Sequence, residues 1–250
     1  MSRLWVSILT LVIYGLAQFG VILLHMAGLF NNLSSKELVF ANIYTQVGLF
    51  IIAAILIIII NNFISNPTRL EQQAKEKKRY VIVWAIVGYF VVMIYQILAG
   101  MINMYVFGAP QSSPNTERLM KVAQEIPLFI ILISIVGPIL EEFVFRKVIF
   151  GEIYNLINAN KTIKFLIAAI VSSIIFSAAH ADPSFFIIYF GMGFIFAAVY
   201  VYTKRIWVPI LVHMMQNGFV VIIQVLIGPE KIKELQESTS FIFNLLFLIM

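Results

Sequence analysis

Cysteine is absent from all 250 positions, which removes disulfides and thiolate chemistry from consideration. Charge is nearly as scarce. Asp, Glu, Lys and Arg make up 12% of the chain against 61% hydrophobic residues, a balance that excludes a soluble domain, where charged residues reach about 25%. No repeat period and no low-complexity tract breaks the pattern. Histidine occurs only three times, so each one can be weighed separately. The net charge of +5 is explained by membrane topology, and no nucleic-acid partner is expected.

What the chain has instead is uncharged runs, at 4–35, 38–68, 80–116, 126–140, 183–203 and 206–229. Several exceed the ~20 residues that cross ~30 Å of hydrocarbon as a helix. The run 165–181 is shorter and carries His180; 238–250 is shorter still and reads as a tilted or partial span. The runs are continuous rather than alternating, which argues for helices over a barrel. The expectation is an all-α, polytopic bundle of seven to eight transmembrane helices. It divides into N-terminal helices over 1–110, a core over 111–228 and a C-terminal partial or tilted helix over 229–250. The first apolar segment is too long for a signal-peptide core and lacks a small-x-small cleavage site, so it reads as a retained span.

Orientation follows from lysine and arginine. The stretch "RLEQQAKEKKR" (69–79), "KTIK" (161–164), "KR" (204–205) and Arg3 fall on one side if the N-terminus is cytoplasmic, as the positive-inside bias requires. The 69–79 stretch is expected to be a solvated, topology-setting loop rather than a phosphoinositide site.

Three polar clusters interrupt the apolar runs. In "PILEEFVFRKVIF" (138–150), Glu141, Glu142 and Arg146 sit where each ionised group costs on the order of 2.5–3.5 kcal/mol near a helix centre. Glu142 and Arg146 are four apart, on one face, in the favourable order of acid before base. Glu141 projects about 100° away and has no partner in its own helix. One paired and one unpaired carboxylate suit a general base or a proton carrier; a structural charge pair would need one acid, not two. "FSAAH" (176–180) ends in His180 before a turn, and "HMMQN" (213–217) puts His213 and Asn217 on one face. Either histidine alone reads equally well as helix packing, and Asn217 alone as interhelical glue. His25 has no polar companion at helical spacing and reads as packing. Buried polar groups in lipid must find each other, so the three clusters are expected to converge.

Glu141-Glu142-Phe-Val-Phe-Arg146, then Phe176-Ser-Ala-Ala-His180, then His213-Met-Met-Gln-Asn217, in this order on successive helices, resembles the CPBP family. These are the CAAX-protease and bacteriocin-processing proteins, also called Abi, which include the type II CAAX prenyl endopeptidases. The likeness covers roughly 140–217, and the first three helices add nothing to it. Lys147 departs from the glycine that many members carry there. The resemblance implies a membrane-embedded, glutamate-type endopeptidase without a metal or other cofactor. In it Glu141 with His180 would activate water, His213 and Asn217 would donate to the oxyanion, and Glu142 with Arg146 would hold the motif helix.

Rival chemistries are weighed on the same residues. Two histidines and a glutamate can hold zinc with one open position, but the chain lacks His-Glu-x-x-His, and asparagine is a poor zinc ligand. Intramembrane Glu, Arg and His chains also serve proton-coupled transport, although no inverted repeat is evident. A non-catalytic immunity or scaffold protein is the remaining alternative, and the intact motifs argue against it. The small, Ile- and Asn-rich, cysteine-free chain looks like that of a low-GC Gram-positive bacterium. The expected setting is therefore the bacterial cell membrane, with the lipid bilayer and a membrane-associated peptide or protein substrate as partners. For such members the resemblance implies maturation of secreted peptides, namely bacteriocin leaders or the pheromone precursors of quorum sensing.

One tension is geometric. Counted along straight rods from where each uncharged run begins, Glu141 falls toward the cytoplasmic side while His180 falls nearer the outer face. The helix is therefore expected to turn or restart at Gly137-Pro138, and the fifth helix to be short or steeply tilted. Glu141, His180, His213 and Asn217 would then line one cavity.

Overall fold

The computed structural model describes residues 1–110 and 112–227 of the chain. Within them the protein is all-helical, with eight helices, of which seven are long and apolar enough to cross a membrane. In chain order they are α1 Arg3–Met26, α2 Ser35–Asn61, α3 Lys78–Phe107, α4 Pro114–Glu125, α5 Leu128–Leu156, α6 Lys161–Ala179, α7 Pro183–Thr203 and α8 Trp207–Ile227. The expected C-terminal helix over 229–250 lies outside the described residues.

Local chemistry places the helix ends. Ser34 and Glu37 form a reciprocal capping box at the start of α2. The Asn160 side chain accepts the Ile163 N–H at 2.9 Å to open α6. Helix α3 stops at Gly108, whose φ of 64° is cheap only for glycine. Ser113 caps α4 and Pro114 occupies its first position, where a missing N–H costs nothing. Helix α4 is short and amphipathic, with Met120 and Ala123 buried and Glu117 and Arg118 outward.

Burial sorts the spans. In α1, α2 and α3 the most apolar stretch is 22%, 28% and 22% buried, so most of it faces lipid; in α5 the figure is 61%. Helix α5 is thus the central post, packed against α1, α2, α6, α7 and α8. Lipid supplies no hydrophobic drive for its charges, so they must be covered by protein.

Helix α5 does not break at proline, contrary to the expectation above. It runs unbroken from Leu128 to Leu156 but changes its winding, with π-helical stretches at Leu132–Val136 and Phe143–Phe150. In the first stretch the Gly137 N–H reaches back to the Leu132 carbonyl rather than to Ile133. The same winding would require the N–H of residue 138 for Ile133, and proline has none. The Ile133 carbonyl is therefore released from the helix, and a neighbouring helix claims it. Glu141 stands near mid-span, not toward one side: its helix continues past the motif to Leu156, and the charges that follow it there, Glu142 and Arg146, are fully covered by protein.

The basic segments gather at one end of the bundle. Arg3 pairs with Glu152 at 3.0 Å, the Arg69 N–H donates to Asn155, and Arg205 donates to the Glu76 carbonyl. The 69–79 stretch is more than a solvated loop. Leu70 is buried among Phe150, Tyr154 and Tyr200, and Glu71 pairs with Lys147 at 3.3 Å. Lys147, where the family resemblance suggests glycine, thus fastens this loop to α5. His25 is held across helices, with Nε2 2.9 Å from the Asn42 amide oxygen, as a packing histidine should be.

Candidate active site

Helix α5 carries Glu141, Glu142 and Arg146 to the bundle centre. Arg146 and Glu142 lie 3.0 Å apart, each with a fully buried side chain. The contact is an ion pair rather than an aligned hydrogen bond, since no Arg146 nitrogen has a hydrogen-bond partner among the described residues. Its guanidinium lies over the Phe176 ring at 4.3 Å and near Phe196 at 5.1 Å, so aromatic faces supply part of its solvation.

The other Glu142 oxygen faces His213 Nδ1 at 2.9 Å. A carboxylate only accepts, so Nδ1 carries the hydrogen. The His213 ring stacks on Phe196 at 4.9 Å, and its Nε2 stands 3.8 Å from Glu141 Oε2. That oxygen of Glu141 is buried and has no hydrogen-bond partner among the described residues.

His180 closes α6 as its C-cap. Its Nδ1 lies 2.8 Å from the Phe176 carbonyl, which makes Nδ1 the donor and leaves Nε2 with a lone pair in the neutral ring. The ring stacks on Tyr189 at 4.0 Å with 23° between planes. Ser113, the α4 cap, donates to buried Asp182 at 2.6 Å and contacts the Tyr189 hydroxyl at 3.1 Å. The start of α7 is tied to α3 by Asn103, which donates to the Ser184 carbonyl at 2.7 Å, and by Tyr95, which donates to the Ile187 carbonyl at 2.7 Å.

Asn217 on α8 donates to the released Ile133 carbonyl at 3.1 Å. Its second amide hydrogen remains for another acceptor. Glu141, His180 and Asn217 all line one cavity of about 500 Å³, within the size range of small-ligand pockets. The four motif residues are thus brought together, with one difference from expectation. His213 does not line the cavity; Glu142 and Phe196 draw it behind Glu141, where it is 2% exposed. Among the described residues no group of three His, Asp or Glu side chains is arranged to hold a metal ion.

Residues that charge-based reading passes over also reach the site. Tyr189 stacks on His180, Ser113 links Tyr189 to Asp182, and Gln96 and Gln216 line the same cavity as Tyr189 and Ser113. Asp182 was visible only as part of a turn signal. The glutamines were visible as uncharged amides inside apolar runs.

A helical bundle that sets a carboxylate with one unpartnered oxygen among two imidazoles, on the wall of a cavity, defines a membrane-embedded protein built for chemistry below the lipid surface. The comparisons give that class its family. The family described as type II CAAX prenyl endopeptidase Rce1-like matches residues 123–219, which include all three motifs. "Membrane-embedded CAAX protease MroQ" of Staphylococcus aureus (strain USA300) is 51% identical over 245 residues, 98% of this chain and 99% of that protein. "Putative membrane peptidase YdiL" of Bacillus subtilis (strain 168) is 45% identical over 175 residues, 70% of this chain and 69% of that protein. No solved structure matches. The chain belongs to the Rce1-like CAAX protease family and is a multi-pass membrane protease, a peptide hydrolase.

Proposed function

We propose that the protein hydrolyses a peptide bond of a membrane-associated peptide, with Glu141 as general base and no metal. The observation that carries this reading is that Glu141, which has no hydrogen-bond partner for its inner oxygen among the described residues, lines one cavity together with His180. A water there donates one hydrogen to Glu141 and one to His180 Nε2, which turns its lone pair toward the scissile carbon. As the water oxygen bonds to that carbon, its proton passes to Glu141 and the carbonyl pair moves onto oxygen. Asn217 donates its free amide hydrogen to this oxyanion. His213 stands behind Glu141 with Nδ1 on Glu142, so its part is to hold the two carboxylates in place rather than to donate to the oxyanion. On collapse the carbonyl re-forms, the C–N bond breaks and the leaving nitrogen takes the proton from Glu141.

The substrate class we infer is the precursor of a secreted peptide, a pheromone or bacteriocin leader, since the chain is of bacterial type and the two relatives named above are bacterial. The N-terminus faces the cytoplasm, which puts the cluster around Arg3, Arg69 and Arg205 inside; cleavage of an N-terminal tag by external protease in intact cells contradicts that. The mechanism is tested with Glu141→Gln. Wild-type protein in proteoliposomes should cleave members of an internally quenched peptide library. The variant should accumulate normally and cleave none, and full activity in it would remove the glutamate mechanism. Comparative peptidomics of cells carrying each form identifies the substrate.

A further inference from the structure

The cavity holds a polar pair that the proposed chemistry does not use. Gln96 on α3 and Gln216 on α8 both line it. The Gln216 amide donates to Gln96 Oε1, while Gln96 Nε2 turns to the Met192 thioether at 3.0 Å. A thioether is a weak acceptor. Gln216 is 1% exposed, yet its Oε1 has no hydrogen-bond partner among the described residues. Interhelical packing alone gives no reason to bury an amide oxygen unmet. Two carboxamides sharing one hydrogen bond leave one carbonyl and one amino group over, whichever way each amide is turned. That remainder is one acceptor beside one donor, the complement of a peptide unit.

We propose that the Gln96–Gln216 pair is a substrate subsite that hydrogen-bonds the main chain of an extended peptide close to the scissile bond. Gln216 accepts a backbone N–H, and Gln96 leaves Met192 to donate to a backbone carbonyl. The proposal rests on the peptidase reading above. Gln216 adjoins Asn217 and lies within one helical turn of His213, so a peptide held here is held beside the reacting groups. Contacts to the main chain select conformation rather than sequence, and they reject proline at one position because it has no N–H.

The test uses the library peptide that reconstituted wild-type protein cleaves fastest, resynthesised with each non-scissile amide N–H replaced in turn by an ester oxygen. At one position the ester should raise KM about tenfold, with kcat within about twofold, as loss of one hydrogen bond predicts. Gln216→Met should raise KM for the all-amide peptide by a similar factor and be indifferent to that ester. A purely structural role would lower the folded fraction and leave the ester profile unchanged. If Gln216→Met does not accumulate, Gln96→Met takes its place; it removes the donor to the backbone carbonyl, so KM for the all-amide peptide should rise by a similar factor while the ester position stays sensitive. A flat wild-type profile, a sensitive position that Gln216→Met retains, or an unchanged KM in Gln96→Met overturns the subsite. A wild-type protein that cleaves no library member removes the peptidase reading, and the subsite with it.

Discussion

Replacing Arg146 by methionine leaves Glu142 as a lone carboxylate in a fully buried position. The two side chains are 3.0 Å apart and each 0% exposed, and removing one member of such a pair costs about 3–5 kcal/mol. Two neighbours set the place within that range. The guanidinium also loses its position over Phe176, at 4.3 Å, a contact worth about 2 kcal/mol when desolvated. Against this, His213 Nδ1 remains 2.9 Å from Glu142, so the stranded carboxylate keeps one donor. The expected loss is about 3–4 kcal/mol. At about 2–4 °C per kcal/mol for a chain of this length, Tm should fall by about 6–16 °C. Removing both charges, by Glu142→Gln with Arg146→Met, takes away the unpaired ion and should restore most of that loss. Cleavage should stay low in the double variant, because His213 no longer faces an anion. Thermal unfolding in detergent, followed by tryptophan fluorescence, reads the stability. A double variant that melts no higher than Arg146→Met refutes the pair as the structural unit.

Pro138→Ala supplies an N–H that can close onto the Ile133 carbonyl and displace the Asn217 amide now 3.1 Å from it. We expect Tm to hold or rise slightly while kcat falls about tenfold or more, in line with loss of one oxyanion donor; unchanged kcat means that the proline does not position Asn217. Tyr189→Leu removes the ring stacked on His180 at 4.0 Å, a contact worth about 0.5–1.5 kcal/mol. Activity should drop by several-fold, and Tyr189→Phe should restore most of it; equal activity in wild type and Tyr189→Leu contradicts a positioning role. Strong chelators should leave cleavage intact, and the purified protein should carry no stoichiometric zinc; activity lost on chelation and recovered with zinc would reverse the mechanism.

The solvent, the element type and seven of the spans are determined by the sequence alone, because transfer into lipid is a local quantity that each residue contributes almost independently. The Glu142–Arg146 pair is equally legible, since helical periodicity puts residues four apart on one face. The three motifs named the residues that meet, and order along the chain was enough to associate them with a family. Which atom faces which was decided only by tertiary packing. His213 turns to Glu142, 71 residues away, rather than into the cavity, and nothing in "HMMQN" encodes the rotation of α8 against α5. Glu141 lies at mid-span because neighbouring helices cover the charges that follow it, Glu142 and Arg146, and let the helix continue. Pro138 rewinds the helix instead of breaking it because Asn217, on another helix, takes the carbonyl that proline leaves free. The Gln96–Gln216 pair escaped a reading based on charge for the same reason: an amide in an apolar run has no visible partner until two helix faces are brought together.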